Sequence, residues 1–254
     1  MNISSITAMV LLQVAGYGTG QGAHGLGALP PIWIIFIAGV LLSWLASSSL
    51  KRRFKAYSRI PSEGGRTGRE VAEQMLRDHN IADVRVQMVQ GTLTDHYNPA
   101  NKTLNLSPAV YQGASVAAAA VAAHECGHAV QHATAYRWLT LRSALVPAVN
   151  VASRWMSLVL LAGILLVQKF PSLLLLGVCL FAVTTLFSLV TLPVEFDASR
   201  RALAWVGGKG VTNRQSHAYA AKALRSAALT YVAAALTSLA TLLYYLSIYM
   251  QHRD

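Results

Sequence analysis

Residues 115–131 read Ser-Val-Ala-Ala-Ala-Ala-Val-Ala-Ala-His-Glu-Cys-Gly-His-Ala-Val-Gln, a run of small apolar residues that ends in two histidines four apart. Alanine is the strongest helix former and serine a good N-cap, so the stretch predicts a long helix beginning at Ser115. On such a helix His124 and His128 leave the same face one turn apart and can ligate one metal ion. Glu125 then stands beside the ion, where it can take a proton from a water that zinc activates; zinc lowers the pKa of such a water toward about 7. The pattern H-E-x-x-H also arises by chance in ordinary helices. Here strand-like segments precede it and a candidate third ligand follows it, so the reading is a peptidase with one Zn2+ ion and Glu125 as general base.

A catalytic zinc needs three protein ligands and an open position. His132 lies one further turn along, but eight residues separate it from His124, about 12 Å on a straight helix, too far to converge on one ion. Glu195 is the better candidate. It sits in Leu-Pro-Val-Glu-Phe-Asp-Ala-Ser-Arg-Arg (192–201), which reads as the start of another helix. The competing reading pairs Glu195 and Asp197 with Arg200 and Arg201 at that helix start, where acids are favoured.

Upstream of residue 115 the pattern is mixed α/β. Thr67 and Glu70 form a capping box that opens a helix to about Asn80, with Val71, Met75 and Leu76 on its apolar face. Val84, Val86 and Met88 alternate as a half-buried strand does. Gly91 and the turn-rich Asp95 to Asn101 lead to Thr103–Leu106, a second strand, either an edge open to an extended peptide or a closed strand. Ser107-Pro108 suits a helix start.

Further out, composition dominates. Apolar residues make up 54% of the 254-residue chain and charged ones 12%, about half the charge of an average soluble domain. Four stretches approach the roughly 20 apolar residues that span a bilayer: 29–50, 149–168, 171–192 and 227–250. Lys169, Phe170 and Pro171 turn the middle pair into a hairpin, and Tyr244, Tyr245 and Tyr249 suit an interface. Residues 1–28 are left as an extracytoplasmic or interfacial segment. No Lys or Arg precedes Lys51, so no cleaved secretory signal is expected.

The net charge of +11 would suit a nucleic-acid partner if it were clustered on a soluble face. Instead Lys51, Arg52, Arg53, Lys55 and Arg59 directly follow the first apolar stretch, where a topogenic signal belongs. Of the 21 Lys and Arg, all but Lys169 and Arg253 fall within 51–154 or 193–226. The positive-inside rule puts both loops in the cytoplasm, and two spans between the His-Glu run and Glu195 return Glu195 to the same face. Two cysteines, Cys126 and Cys179, make no disulfide framework. The expected architecture is an α-helical multi-pass membrane protein of about four transmembrane helices. A small α/β zincin-like metallopeptidase domain (51–148) lies at its cytoplasmic face, joined there by the segment 193–226.

Four segments carry a family resemblance: Gly-Thr-Leu-Thr-Asp-His-Tyr-Asn-Pro (91–99), Ala-Ala-His-Glu-Cys-Gly-His-Ala-Val-Gln (122–131), Leu-Pro-Val-Glu-Phe-Asp-Ala-Ser (192–199) and Ala-Leu-Thr-Tyr-Val-Ala (228–233). Together they resemble the YugP-type membrane zinc metallopeptidases, over most of the chain from about residue 30. The resemblance implies a bacterial integral membrane protein and a neutral zinc peptidase. The layout is distantly similar to HtpX-type and CAAX-prenyl proteases, which carry an aspartate one turn after the glutamate ligand. Here Asp197 is two residues on, on a different helical face, which leaves Ser199 as a weaker substitute in supporting a ligating histidine.

Substrates of this reading are peptides or proteins, membrane-associated or unfolded, with the lipid bilayer as the other partner and no nucleic acid. His96, Tyr97, His217, Tyr219 and Tyr231 have the chemistry to stabilise an oxyanion. An intramembrane protease is disfavoured, because the apolar run before His124 is only ten residues long and the chain has no Asp-Gly pair. An inactive zinc-stabilised scaffold would tolerate loss of Glu125, so its presence favours the enzyme.

Overall fold

The computed structural model describes residues 31–253; the expected N-terminal segment 1–28 lies outside them. In chain order the helices are α1 (Pro31–Tyr57), α2 (Gly68–Asp78), the short α3 (Pro108–Tyr111), α4 (Val116–Ala133), α5 (Arg137–Leu165), α6 (Pro171–Gly208) and α7 (Arg214–His252). Strands β1 (Arg85–Met88), β2 (His96–Asn98) and β3 (Thr103–Leu106) lie between α2 and α3. Helices α1, α5, α6 and α7 are long and apolar enough to cross a membrane. Trp44, Val151, Leu158, Leu165 and Leu243 on them are each more than half exposed, a display that lipid, not water, accommodates. The protein is a multi-pass membrane protein with a small α/β domain.

Two compact units divide the described residues, and each of the four long helices contributes a stretch to both. The first unit comprises Val40–Leu145 and Ser188–Ala235. Its core gathers Val71, Met75 and Leu76 of α2, Leu104 and Leu106 of β3, the alanines of α4 and Val206 of α6. The Thr67 side chain accepts from the Glu70 amide while Glu70 accepts from the Thr67 amide, so the capping box opens α2 as its sequence predicts.

The three strands form one sheet in the order β1-β3-β2. β1 runs parallel to β3, with Val86 opposite Leu104, and β2 runs antiparallel to it, with Tyr97 opposite Leu104. Thr103–Leu106 is therefore the central strand, paired on both sides and buried throughout, which removes it as an edge for a peptide. The edge beside α4 is β2, a strand of three residues that arises inside the turn-rich segment.

The second unit comprises Val146–Phe187 with residues 31–39 and 236–253. Met156 and Leu160 of α5 pack on Leu174 and Val178 of α6 and on Tyr245 of α7. Gly163 lets the two arms of the hairpin approach: a Cβ there would lie 2.6 Å from the Leu174 Cα.

One expectation about α6 changes. The helix runs unbroken from Pro171 through Pro193 to Gly208, so Glu195 lies inside it and does not open a new helix. Proline removes one backbone donor, and membrane helices tolerate that loss when neighbours satisfy the freed carbonyl.

Candidate metal centre

Ser115 caps α4 by accepting the Ala118 amide at 3.2 Å. Alanines 117–120, 122 and 123 are all buried, and their small side chains let α4 pack closely on α2. Each residue of the following H-E-C-G-H run then meets a different neighbour. His124 and His128 face α6. The Cys126 thiol points the other way, 3.5 Å from the Ala72 carbonyl, and burial with the Glu125 charge pushes its pKa well up. Gly127 faces the α6 backbone, where a Cβ would stand 2.7 Å from the Ala198 carbonyl oxygen.

That close approach delivers Glu195. Its Oε2 lies 3.3 Å from His124 Nε2 and 3.6 Å from His128 Nε2, and the three ligand atoms lie within 4.8 Å of one another. Glu195 is 3% exposed, and Oε2 has no hydrogen-bond partner. A buried carboxylate oxygen left unpartnered is costly; a cation between it and the two imidazoles removes the cost. Ligands about 2.0–2.1 Å from a tetrahedral ion stand roughly 3.3–3.4 Å apart, close to the two separations between Glu195 and the histidines. The residues present fit a zinc ion.

Burial alone would push the Glu195 carboxyl up, but the positive charge available to His124 and His128 outweighs it and holds Glu195 well below the usual carboxylate range. Burial likewise disfavours a charged His128, and the Glu195 and Glu125 carboxylates reverse the sign, leaving its pKa raised.

Glu125 is buried beside this cluster and turned toward the sheet, its Oε2 accepting the Tyr97 amide of β2 at 3.0 Å. His132 stays out of the cluster; it is exposed and its Nδ1 lies 3.0 Å from the Tyr97 hydroxyl. The other nitrogens of the two clustered histidines are both occupied. His124 Nδ1 lies 3.2 Å from Ser199 Oγ, and His128 Nδ1 lies 3.0 Å from Gln131 Oε1. Asp197 touches no histidine; its carboxylate meets Arg200, Arg201 and the Gln131 amide.

The arginine pairing weighed against Glu195 as a ligand is thus made by Asp197 alone, and Glu195 is left to the histidines. Sequence reasoning missed Gln131, Gly127 and the Tyr97 amide. Gln131 alone carried a local signal, standing three residues after His128 on the same helical face.

Of the five oxyanion candidates, four are engaged elsewhere. His96 meets Thr94 and Asn105, Tyr97 meets His132, His217 meets the Leu203 carbonyl and Tyr219 stacks on Tyr57. Tyr231 of α7 is the one turned to the cluster, within reach of the charges of Glu195, Glu125 and Arg142.

Residues 32–250 match the family described as "Putative neutral zinc metallopeptidase". The "Putative membrane protease YugP" of Bacillus subtilis (strain 168) is 44% identical over 218 residues, covering 86% of this chain and 96% of that protein. No solved structure matches the chain.

Proposed function

We propose, on the premise that the chain belongs to this neutral zinc metallopeptidase family, that it hydrolyses peptide bonds with Glu125 as general base and His124, His128 and Glu195 as ligands of one zinc ion. The unpartnered Glu195 Oε2 facing two imidazole Nε2 atoms carries the reading. Zinc in that donor set, when bound, polarises a carbonyl and makes water acidic enough to attack it near neutral pH. Glu125 takes the proton of the attacking water and returns it to the leaving amine nitrogen. The Tyr97 amide holds one Glu125 oxygen at 3.0 Å, so the other is aimed for that transfer. Tyr231 donates to the developing oxyanion.

The substrate is an extended stretch of peptide or protein lying beside β2, the short strand next to α4. The protein resides in a bacterial cytoplasmic membrane with the centre on the cytoplasmic side, supported by the basic loops 51–154 and 193–226. The test compares purified protein with Glu125→Gln for zinc content and for cleavage of an unfolded protein. Hydrolysis lost with zinc retained is expected; equal cleavage by both would sink the reading, and no cleavage by either with zinc bound would favour a scaffold.

A further inference from the structure

The partners of the two clustered histidines differ in kind. Ser199 offers His124 Nδ1 a hydroxyl, which donates or accepts as its rotor turns, so it imposes no tautomer. Gln131 offers His128 an amide whose orientation is forced. Its side chain is fully buried, and one end of the amide faces two oxygens, Val194 O at 2.8 Å and Asp197 Oδ2 at 2.9 Å. The first can only accept. The second belongs to a carboxylate that Arg200 and Arg201 pair, so it accepts as well. Only the NH2 group can stand against two acceptors, so Gln131 Oε1 must face His128 Nδ1, and a carbonyl oxygen there requires Nδ1 to carry the hydrogen. The lone pair of His128 is thereby left on Nε2, the atom 3.6 Å from Glu195.

We propose that Gln131 is a positioning residue that presets His128 as a metal ligand. It holds the imidazole in the Nδ1–H tautomer, and Asp197 acts on His128 only through it. The proposal rests on reading His128 as a zinc ligand. Arg200 and Arg201, Asp197, Gln131 and His128 then form one relay, in which a salt-bridged carboxylate on α6 orients a ligand on α4 that it does not touch. Groups that support a ligating histidine typically change metal affinity about 10–100-fold when removed.

The experiment uses the full chain in detergent, with zinc affinity measured by chelator competition and Co2+ absorption as a reporter of ligand geometry. Gln131→Met keeps the volume and removes the amide. It should still bind one ion at saturation, with affinity reduced about 10–100-fold and an altered Co2+ spectrum, while Ser199→Ala changes both less. Asp197→Asn should weaken binding in the wild-type background and add nothing further in Gln131→Met, since residues acting in series are not additive.

Wild-type affinity and spectrum in Gln131→Met, or additive losses in the double variant, would overturn the proposal. If Gln131→Met does not fold, Asp197→Asn alone decides: an unchanged Co2+ spectrum and affinity overturn it. His128→Ala tells the two readings apart, because undiminished zinc binding there would defeat the metal site itself and not only its tuning.

Discussion

Within the H-E-C-G-H run the two polar functions separate by a single residue step. The histidines aim at Glu195, while Glu125 is drawn aside by the Tyr97 amide and stands apart from that cluster. The i, i+4 spacing made that division legible in advance. Glu195 was legible only through membrane topology, since nothing in its neighbourhood distinguishes it from Asp197. Gln131 was overlooked because its role emerges only when α6 brings an acceptor pair to its far end. Tyr231 was one of five equal candidates until the other four found partners. Tyr231→Phe should keep zinc content and lower kcat by about 100-fold or more, as removing one oxyanion donor does; steady-state kinetics with metal analysis checks it, and an unchanged kcat would remove Tyr231 from the reaction.

At the scale of elements, the centre depends on how closely α4 and α6 approach. Gly127 is the contact that permits it, and a Cβ at 2.7 Å from the Ala198 carbonyl oxygen meets backbone, which cannot rotate away. Gly127→Ala gains helix propensity, yet α6 must shift outward and carry Glu195 with it. The expected outcome is a retained helical signal with zinc affinity reduced at least tenfold, measured by chelator competition beside circular dichroism.

Two element boundaries resisted sequence reasoning for physical causes. β2 is three residues long, too short for a period-2 pattern, and is held by β3 and by Glu125, not by its own propensity. Pro193 carries a strong local stop signal that tertiary packing overrides, with Val194 and Ala198 fully buried on either side of Glu195.

For the whole molecule, the proposed ligands His124, His128 and Glu195 come from α4 and α6, with all of α5 between them in the chain. An ion bound there cross-links distant segments of the folded state and has no such site in the unfolded chain. Ligand at about 1,000 times its Kd adds roughly 4 kcal/mol of stability. Zinc removal should therefore lower the melting temperature by several degrees in a detergent-solubilised thermal scan, with the shift abolished in Glu195→Ala; an equal shift in that variant would place the stabilising ion elsewhere. The division into spans and a small α/β domain was readable from charge placement and apolar length. That each long helix serves both units was not, because hydropathy marks where a helix is apolar and not where it ends.

The continuity of α6 sets a height. From Pro171 to Glu195 the helix rises about 36 Å at roughly 1.5 Å per residue, against about 30 Å of hydrocarbon. If α6 enters the bilayer at Pro171, Glu195 stands on that helix at the level of the lipid headgroups. A bulky folded domain does not reach so low, whereas a tail or loop emerging from a neighbouring membrane protein already lies at that level. On the proposed activity, access alone would then select what is cut: stubs and slack chain at the membrane face, whatever their sequence.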